Sequence, residues 1–172
     1  MRSFHQSPGD EMSGRVSIQI ADFDVSAEMA ALRTQDSRVG AICCFVGTVR
    51  DRNDGQSVSS MELEHYPGMT EKAIEAMIDE ALGRFDIYAA RVIHRIGLLQ
   101  PLDQIVLVLV TSAHRGQSFQ ACEFLMDYLK TQAPFWKKEK TPDGERWVDA
   151  RVSDDQALKR WGIGSDNRSA SG

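Results

Sequence analysis

The side chains best suited to chemistry are basic, and they fall into three groups along the chain: Arg50 and Arg52, His114 and Arg115, and Lys130 with Lys137, Lys138 and Lys140. The 172 residues together carry a formal net charge of −5, so these groups are islands of positive charge in an acidic protein. An acidic protein is poorly suited to non-specific binding of nucleic acid. The basic groups therefore indicate a small anionic ligand or an acidic peptide as the partner.

The second basic group stands between a predicted strand and a predicted helix. Residues 105–110 (IVLVLV) form a continuous apolar run, which is typical of a strand buried on both faces. A helix is predicted to open at residues 116–118, and Pro134 limits it because the residue before a proline is pushed out of the helical region. Steps of three and four residues predict the inward face of this helix: Phe119, Cys122, Met126 and Leu129.

His114 and Arg115 lie beside the first turn of that helix. Unpaired N–H groups and a partial positive charge suit a helix N-terminus to an anion, so the spacing is compatible with a phosphate site. The same pattern is also typical of a solvated arginine and a hydrogen-bonded histidine at a strand end. Lys130, in the last turn of the helix, can likewise have a purely structural role, because a lysine at that end interacts favourably with the helix dipole. Spacing alone leaves these alternatives open.

The rest of the sequence predicts further strands and helices. Strands are predicted at residues 15–20, 39–49, 60–65, 89–96 and 145–151, and helices at 27–35, 70–85 and 154–161. Gly47 is predicted to mark a bulge or a close approach by another backbone or a ligand, residues 50–57 are predicted to form a polar loop, and Thr70 is predicted to cap the longer helix. The pattern predicts an α+β or α/β fold with helices packed on a sheet. Polar termini at 1–14 and 162–172 are expected to be disordered, which leaves residues 15–161 as one domain.

Two further features favour structural roles. Glu62 and Glu64 point the same way from one predicted strand, and a solvated face explains them more simply than an acid–base pair. His94 lies on the apolar parity of its strand, which is typical of a partly buried, hydrogen-bonded histidine.

The three cysteines predict neither a metal site nor a disulfide framework. Cys43 and Cys44 are adjacent, Cys122 is distant, and no CxxC spacing occurs. Their apolar surroundings predict buried free thiols in a reducing compartment, and hence a cytoplasmic location. The N-terminus lacks the apolar core of a signal peptide, and no apolar run is long enough to span a membrane.

Six longer motifs resemble the MoaE family, the large, catalytic subunits of molybdopterin synthase. They are FVGTVR (45–50), LEHYPGMTEKA (63–73), VIHRIG (92–97), VTSAHR (110–115), MDYLKTQAPFWKKE (126–139) and RWVDAR (146–151). The resemblance runs in unbroken order over roughly residues 16–161. It implies an α+β fold of the α/β hammerhead type, with helices on a mixed or antiparallel sheet and a small additional antiparallel sheet.

The resemblance also implies an activity and partners. Members of this family convert cyclic pyranopterin monophosphate, also called precursor Z, to molybdopterin by installing two dithiolene sulfurs. Each sulfur comes from the C-terminal thiocarboxylate of a small ubiquitin-like subunit of the MoaD type, whose tail enters the large subunit. Two large subunits form a homodimer with one small subunit at each end, a heterotetramer. No metal or cofactor is expected in the large subunit.

Carried over residue by residue, the resemblance implies a set of substrate contacts: Thr48, Val49, Arg50, His114, Arg115, Lys130, Lys137, Lys138, Glu139 and Arg151. Arg50, His114 and Arg115 would hold the phosphate, and the latter two are expected to reach across the dimer. Lys130 is expected to be the principal catalytic residue, because an ammonium group stabilises negative charge that develops during sulfur transfer. Lys137 is expected to bind the substrate and the tail and to assist proton transfer.

Two alternatives to the enzyme remain. A non-catalytic module that captures the tail of a ubiquitin-like protein would need the same basic groove but no phosphate site. A dimeric sensor of a small phosphate compound would bind the pterin but no small subunit. Some relatives carry Lys where this chain has Thr48, which leaves the hydroxyl or the backbone of Thr48 as its contact.

Overall fold

Two four-stranded sheets, a two-stranded hairpin and three helices make up the part of the chain that the computed structural model describes, residues 14–53, 55–148, 156 and 159–163. The strands are β1 (Val16–Gln19), β2 (Ala41–Thr48), β3 (Arg52–Asn53), β4 (Gln56–Ser57), β5 (Ser60–His65), β6 (Ala89–Arg95), β7 (Gly97–Leu99), β8 (Gln104–Ser112), β9 (Phe135–Thr141) and β10 (Gly144–Val148). The helices are α1 (Val25–Arg33), α2 (Met69–Arg84) and α3 (Arg115–Gln132). The predicted α+β class is confirmed.

The first sheet has the strand order β1-β6-β8-β2, with β1 parallel to β6 and the other pairs antiparallel. Its centre is β8, the strand predicted from the run IVLVLV. Val108 and Val110 pack in a cluster with residues of α2 and α3, whereas Leu107 and Leu109 pack in a cluster with Leu32 of α1. Alternate β8 side chains therefore enter two cores, which explains why the strand is apolar at every position.

The second sheet is antiparallel throughout, with the order β10-β9-β5-β7. The chain passes from β6 of the first sheet into β7 of the second at Gly97, whose φ of 83° favours glycine. Met61 and Leu63 of β5 are buried, and Glu62 and Glu64, which alternate with them, are exposed, so the predicted solvated face is confirmed. The chain thus crosses between the two sheets at Gly97 and returns to the first sheet through the short turn at residues 100–103.

The start of α2 differs from the prediction. The N-cap is Gly68, with a φ of 83°, and its N–H donates to the Glu71 carboxylate at 2.6 Å. Thr70 was predicted as the cap but lies within the first turn, fully buried. Its hydroxyl accepts from the Tyr66 N–H and donates to the Pro134 carbonyl, both at 3.0 Å. The prediction was wrong because the helix begins directly after the Pro-Gly turn, one residue before Thr70. The Thr70 side chain is therefore available to connect α2 to the start of β9.

The buried stripe of α3 also differs from the prediction. Phe119 was predicted to face inward, but 62% of it is exposed. Ala121, Phe124 and Leu125 are fully buried, although they were not predicted to face inward. Cys122 and Leu129 are buried as predicted. The helix packs on both β8 and β2, and its small residues allow a close approach there. The prediction followed apolar residues at steps of three and four from Phe119, whereas the buried stripe also contains Ser118 and Ala121.

The predicted final strand is confirmed for the β10 range, and its remaining residues lie outside the described part of the chain. Half of the predicted helix at 154–161 also lies outside it, as do the predicted disordered segments apart from Gly14, Gly162 and Ile163. Ile163 packs against the core, so the disorder predicted from residue 162 is wrong there. Among the helices of the described residues, none combines the length and the apolar character needed to cross a membrane.

Candidate active site

A cavity of about 340 Å³ lies where the two sheets meet the C-terminal end of α3. Strands of both sheets, the β3 strand of the hairpin and the last turn of α3 all contribute to its lining. Part of the lining is apolar, and the polar and charged residues in it are Thr48, Arg50, Arg52, Asn53, His94, Lys130, Lys137 and Glu139. The cavity therefore combines apolar side chains with a nearly equal share of polar and charged ones.

Positive charge dominates this cavity. Arg50, Arg52, Lys130 and Lys137 line it together with one carboxylate, that of Glu139. Lys137 Nζ lies 3.7 Å from Glu139 Oε1, and the described residues provide no ion pair for Arg50, Arg52 or Lys130. Four cations against one anion in a concave site focus a positive potential, which favours an anionic ligand.

The Glu139 carboxylate holds the walls of the cavity together. Only 1% of Glu139 is exposed, although it carries a charge. Its carboxylate accepts a hydrogen bond from Asn53 Nδ2 at 2.7 Å and another from an Arg146 terminal nitrogen at 3.3 Å. The same Arg146 nitrogen donates to the Asn53 carbonyl at 3.2 Å. These bonds join β3, β9 and β10, and so fix the segment that carries Arg52.

The two lysines reach the cavity because of a sharp change in backbone direction. Ala133 follows α3 in an extended conformation, and Pro134 leads directly into β9. Lys130 is in the last turn of α3, and Lys137 is the third residue of β9. The helix end and the strand therefore present two cations to one cavity from different sides of the Pro134 turn.

A bulge in β2 brings Thr48 to the cavity. The pairing of β2 with β8 shifts register between Gly47 and Thr48. A Cβ on Gly47 would lie 2.8 Å from the Val106 side chain, closer than real Cβ contacts. The predicted bulge at Gly47 is confirmed, whereas the close neighbour there is the Val106 side chain and not another backbone. Residues 50–57 were predicted as a polar loop, but they contain the β3–β4 hairpin.

Four of the predicted contacts within the described residues do not line the cavity of this chain, and two of them are Val49, which directly follows β2, and Lys138 of β9. Val49 is 1% exposed and packs with Met61, Leu63 and Leu99 beneath the second sheet. Lys138 Nζ lies 2.9 Å from Glu145 and 5.5 Å from the centre of the Trp147 ring. The hydrogen bond with Glu145 raises the pKa of Lys138. Because side chains alternate along β9, Lys138 points away from Lys137 and Glu139.

His114 and Arg115 stand at the opposite end of α3 from Lys130. His114 is the N-cap residue of the helix, and its carbonyl accepts a hydrogen bond from the Ser112 hydroxyl at 2.6 Å. Fifteen helical steps separate Arg115 from Lys130, or about 22 Å along the axis. Within one chain, the His–Arg pair therefore lies away from the cavity. Arg151 lies outside the described residues.

His94 lines the cavity, although the sequence favoured a structural role. Its ring stacks on Phe135 with 3.9 Å between ring centres and an angle of 19°. Its Nδ1 lies 2.8 Å from the Arg95 carbonyl oxygen, and burial lowers its pKa to about 4. Arg52 and Asn53 also line the cavity without having been predicted. The sequence feature that could have identified Arg52 is the basic pair Arg50 and Arg52, which follows a strand that ends at a glycine bulge.

The cysteines are free thiols, and none is among the described residues that line the cavity. Cys122 is buried, as predicted, whereas Cys43 and Cys44 are only partly buried. Burial raises the pKa of Cys122 and of Cys44, which disfavours their reactive thiolate forms. The described residues also hold no cluster of three His, Cys, Asp or Glu side chains placed to bind a metal ion.

Comparison with known proteins gives consistent matches. A sequence model of the MoaE protein family matches residues 18–132. The molybdopterin synthase catalytic subunit of Ralstonia nicotianae is 63% identical over 155 residues, 90% of this chain and 88% of that protein. The solved molybdopterin biosynthesis MoaE protein of Burkholderia ambifaria has a TM-score of 0.75 at 59% identity, covering 86% of this chain and 97% of that chain.

A more distant likeness concerns a complex. In the solved complex of subunits 1 and 2 of molybdopterin-converting factor from Helicobacter pylori, one chain gives a TM-score of 0.65 at 19% identity. The alignment covers 79% of this chain and 91% of that chain, and at this identity it shows the fold alone. The family match and the identity to the Ralstonia protein decide the assignment: the chain belongs to the MoaE protein family.

Proposed function

We propose that this chain is the catalytic subunit of a molybdopterin synthase and transfers sulfur to cyclic pyranopterin monophosphate. The observation that carries the proposal is the cavity in which Arg50, Arg52, Lys130 and Lys137 outnumber one carboxylate. Both proposed reactants are anionic, since one carries a cyclic phosphate and the other a C-terminal thiocarboxylate. The names of the relatives at more than half identity support the same reaction.

The proposed reaction divides into steps that cations assist. In each transfer, a carbon–sulfur bond forms between the thiocarboxylate sulfur and a carbon of the pterin side chain, and a carbon–oxygen bond at that carbon breaks. In one transfer the displaced oxygen stays on the phosphate, whose ring opens, and in the other it leaves as water. Water then attacks the carrier carbonyl, the bond between that carbonyl and sulfur breaks, and the carrier leaves with an ordinary carboxylate. This attack passes through a tetrahedral oxyanion. Two carriers are consumed for each dithiolene.

Lys130 is the proposed principal catalytic residue because it is a cation on a rigid helix end in the cavity wall. An ammonium group placed beside the oxyanion stabilises it, and such a stabiliser contributes about a hundredfold to a thousandfold in rate. Lys137 is proposed to bind the tail and the substrate and to assist proton transfer. Glu139 positions Lys137 through their contact at 3.7 Å. Arg50 is proposed to hold the phosphate, together with the hydroxyl or backbone of Thr48.

The phosphate site is proposed to be shared between two copies of the chain. His114 and Arg115 lie about 22 Å along α3 from Lys130, so another copy must supply them if they contact the same substrate. A homodimer related by a two-fold axis would give two equal composite sites. This expectation supports the heterotetramer inferred from the family resemblance, with one small subunit for each site.

The proposed partner is a small ubiquitin-like subunit of the MoaD type. The cavity, about 340 Å³, is too small to hold a folded protein, so a partner would enter it with a narrow segment such as a C-terminal tail. The fold likeness to a chain from the Helicobacter complex is compatible with such an assembly. Substrate contacts by Val49 and Arg151, the cytoplasmic location, and a reaction without metal or cofactor stay predictions. Lys138 is left out of the proposed contacts because its side chain pairs with Glu145 and points away from Lys137 and Glu139.

A reconstituted reaction tests the proposal. The full chain is mixed with precursor Z and a thiocarboxylated small subunit, and molybdopterin is detected as its fluorescent oxidised derivative. The matched control is the same small subunit with an ordinary C-terminal carboxylate. We expect product with the thiocarboxylate only, and two carriers consumed for each product.

The main alternative is a module that binds the tail without catalysis. It predicts a stable complex with the small subunit, no product, and no affinity for the pterin phosphate. The surplus of cavity cations favours the enzyme, because a single tail carboxylate needs fewer cations than four. A complex that forms tightly but yields no molybdopterin would therefore support the module and reject the enzyme.

A further inference from the structure

His94 offers the cavity a hydrogen-bond acceptor of a kind that is scarce in its lining. The four cations of the lining can only donate hydrogen bonds. The Glu139 carboxylate already accepts from Asn53 and Arg146, and its neighbour Lys137 lies 3.7 Å away. Among the described lining residues, the uncharged side chains that can accept a hydrogen bond are those of Thr48, Asn53 and His94.

The structure determines which ring nitrogen of His94 can accept. Nδ1 lies 2.8 Å from the Arg95 carbonyl oxygen, and a carbonyl oxygen carries no proton to donate. Nδ1 must therefore hold the proton, and Nε2 has a free lone pair. Burial lowers the pKa of His94 to about 4, so the ring is neutral near pH 7. A neutral ring in this tautomer accepts at Nε2.

This lone pair is accessible to a ligand. Within the described residues, no group forms a hydrogen bond with His94 Nε2. If this nitrogen were also fully enclosed, it would be a buried polar atom without a partner, and among the described residues only Arg146 Nε is such an atom. His94 Nε2 is therefore not sealed inside the protein, and the residue lines the cavity. Stacking on Phe135, at 3.9 Å between ring centres, fixes the plane of the ring. The acceptor is preorganised rather than mobile.

We infer that His94 is a further substrate-binding residue, whose Nε2 accepts a hydrogen bond from an N–H group of the reduced pterin ring. This inference rests on the proposed function. A reduced pterin carries several ring and amino N–H groups, and the arginines and lysines that bind its phosphate cannot accept from them. His94 would therefore orient the ring while the cations hold the phosphate.

Two substitutions separate the acceptor from the rest of the side chain. In His94→Asn, the amide nitrogen can still donate to the Arg95 carbonyl, but nothing replaces Nε2. In His94→Gln, the longer side chain can place its amide oxygen near the position of Nε2. Both variants lose the stacked ring, so a difference between them reports on the acceptor alone. Precursor Z affinity is measured without the small subunit, and turnover is measured with it.

We expect His94→Asn to weaken precursor Z binding and to raise the KM for precursor Z by about tenfold, or ~1.4 kcal/mol. The kcat and the KM for the small subunit should stay within about threefold of the parent values. His94→Gln should recover most of this loss. Unchanged affinity in His94→Asn, equal losses in both variants, or a raised KM for the small subunit instead would each overturn the inference.

The parent chain separates failure of this inference from failure of the proposed reaction. A parent that binds precursor Z but forms no product would reject the reaction, and the affinities of the two variants would still decide the role of His94. A parent that neither binds precursor Z nor forms product would overturn both.

Discussion

The buried carboxylate of Glu139 gives the sharpest test of how the cavity is held together. Glu139→Gln keeps the shape of the side chain but removes its charge and replaces one acceptor oxygen with a donor. That donor would face Asn53 Nδ2 at 2.7 Å or Arg146 at 3.3 Å, and both of these groups are donors. Removing one partner of a fully buried ion pair costs about 3–5 kcal/mol.

The expected cost is smaller here because the cations are partly exposed. The side chains of Arg146 and Lys137 are 34% and 33% exposed, so water compensates part of the lost interaction. We expect the free energy of unfolding to fall by about 2–3 kcal/mol. For a domain of this size, that lowers the melting temperature by roughly 4–12 °C. Urea unfolding followed by fluorescence and circular dichroism measures the change.

The same hairpin provides a matched control. Glu145 belongs to β10 and pairs with Lys138 on the outer face, where 58% of the Glu145 side chain is exposed. Glu145→Gln should leave the urea midpoint unchanged. If Glu139→Gln is as stable as the parent, or if the two substitutions have equal effects, the role assigned to the Glu139 network is refuted.

Three further predictions concern acid, subunit exchange and thiols. The folded-state pKa of His94, about 4, lies below 6.5, so the unfolded chain binds this proton more readily and stability falls as the pH drops from about 6.5 to 4. Between pH 7 and 4.5, the free energy of unfolding measured in urea should fall by ~2–3 kcal/mol less for His94→Gln than for the parent. Equal falls in the two proteins would contradict the lowered pKa of His94. A refolded equimolar mixture of inactive Lys130→Ala and Arg115→Ala chains should regain about a quarter of the parent turnover. Half of the dimers then contain one chain of each kind, and one of the two sites in such a dimer has both Lys130 and Arg115. No recovery would mean that both residues act in a site formed by a single chain. Cys122 should resist iodoacetamide at pH 8 in the native protein and react in urea, as peptide mass spectrometry shows, and native alkylation would contradict its burial.

Local patterns in the sequence predicted the framework well, because those elements follow from periodicity. The run IVLVLV in β8, the alternation of Met61 and Leu63 in β5, and the bulge at Gly47 all appear in the structure. Contacts between elements were harder to predict. The inward face of α3 was misplaced at Phe119, because which stripe meets the sheet depends on how closely β2 and β8 approach the helix.

The candidate site shows the same limit. The basic groups were evident in the sequence, but their division between the cavity and other surfaces was not. Lys137 and Lys138 are neighbours, and only the pairing of β9 with β5 and β10 decides which of them faces the cavity. His94 was missed because its surroundings come from β9, far along the chain, where Phe135 supplies the stacking ring.

The most direct test of the central claim, that the cationic cavity is where sulfur transfer occurs, is a single-turnover comparison of two lysine variants. Lys130→Ala removes a cation from the cavity, and Lys138→Ala removes one from the outer face. With saturating thiocarboxylated small subunit and precursor Z, we predict that Lys130→Ala slows molybdopterin formation by about a hundredfold to a thousandfold while its small-subunit affinity stays unchanged. Lys138→Ala should react at nearly the parent rate. Near-parent turnover by Lys130→Ala, or equal losses in the two variants, would contradict the account.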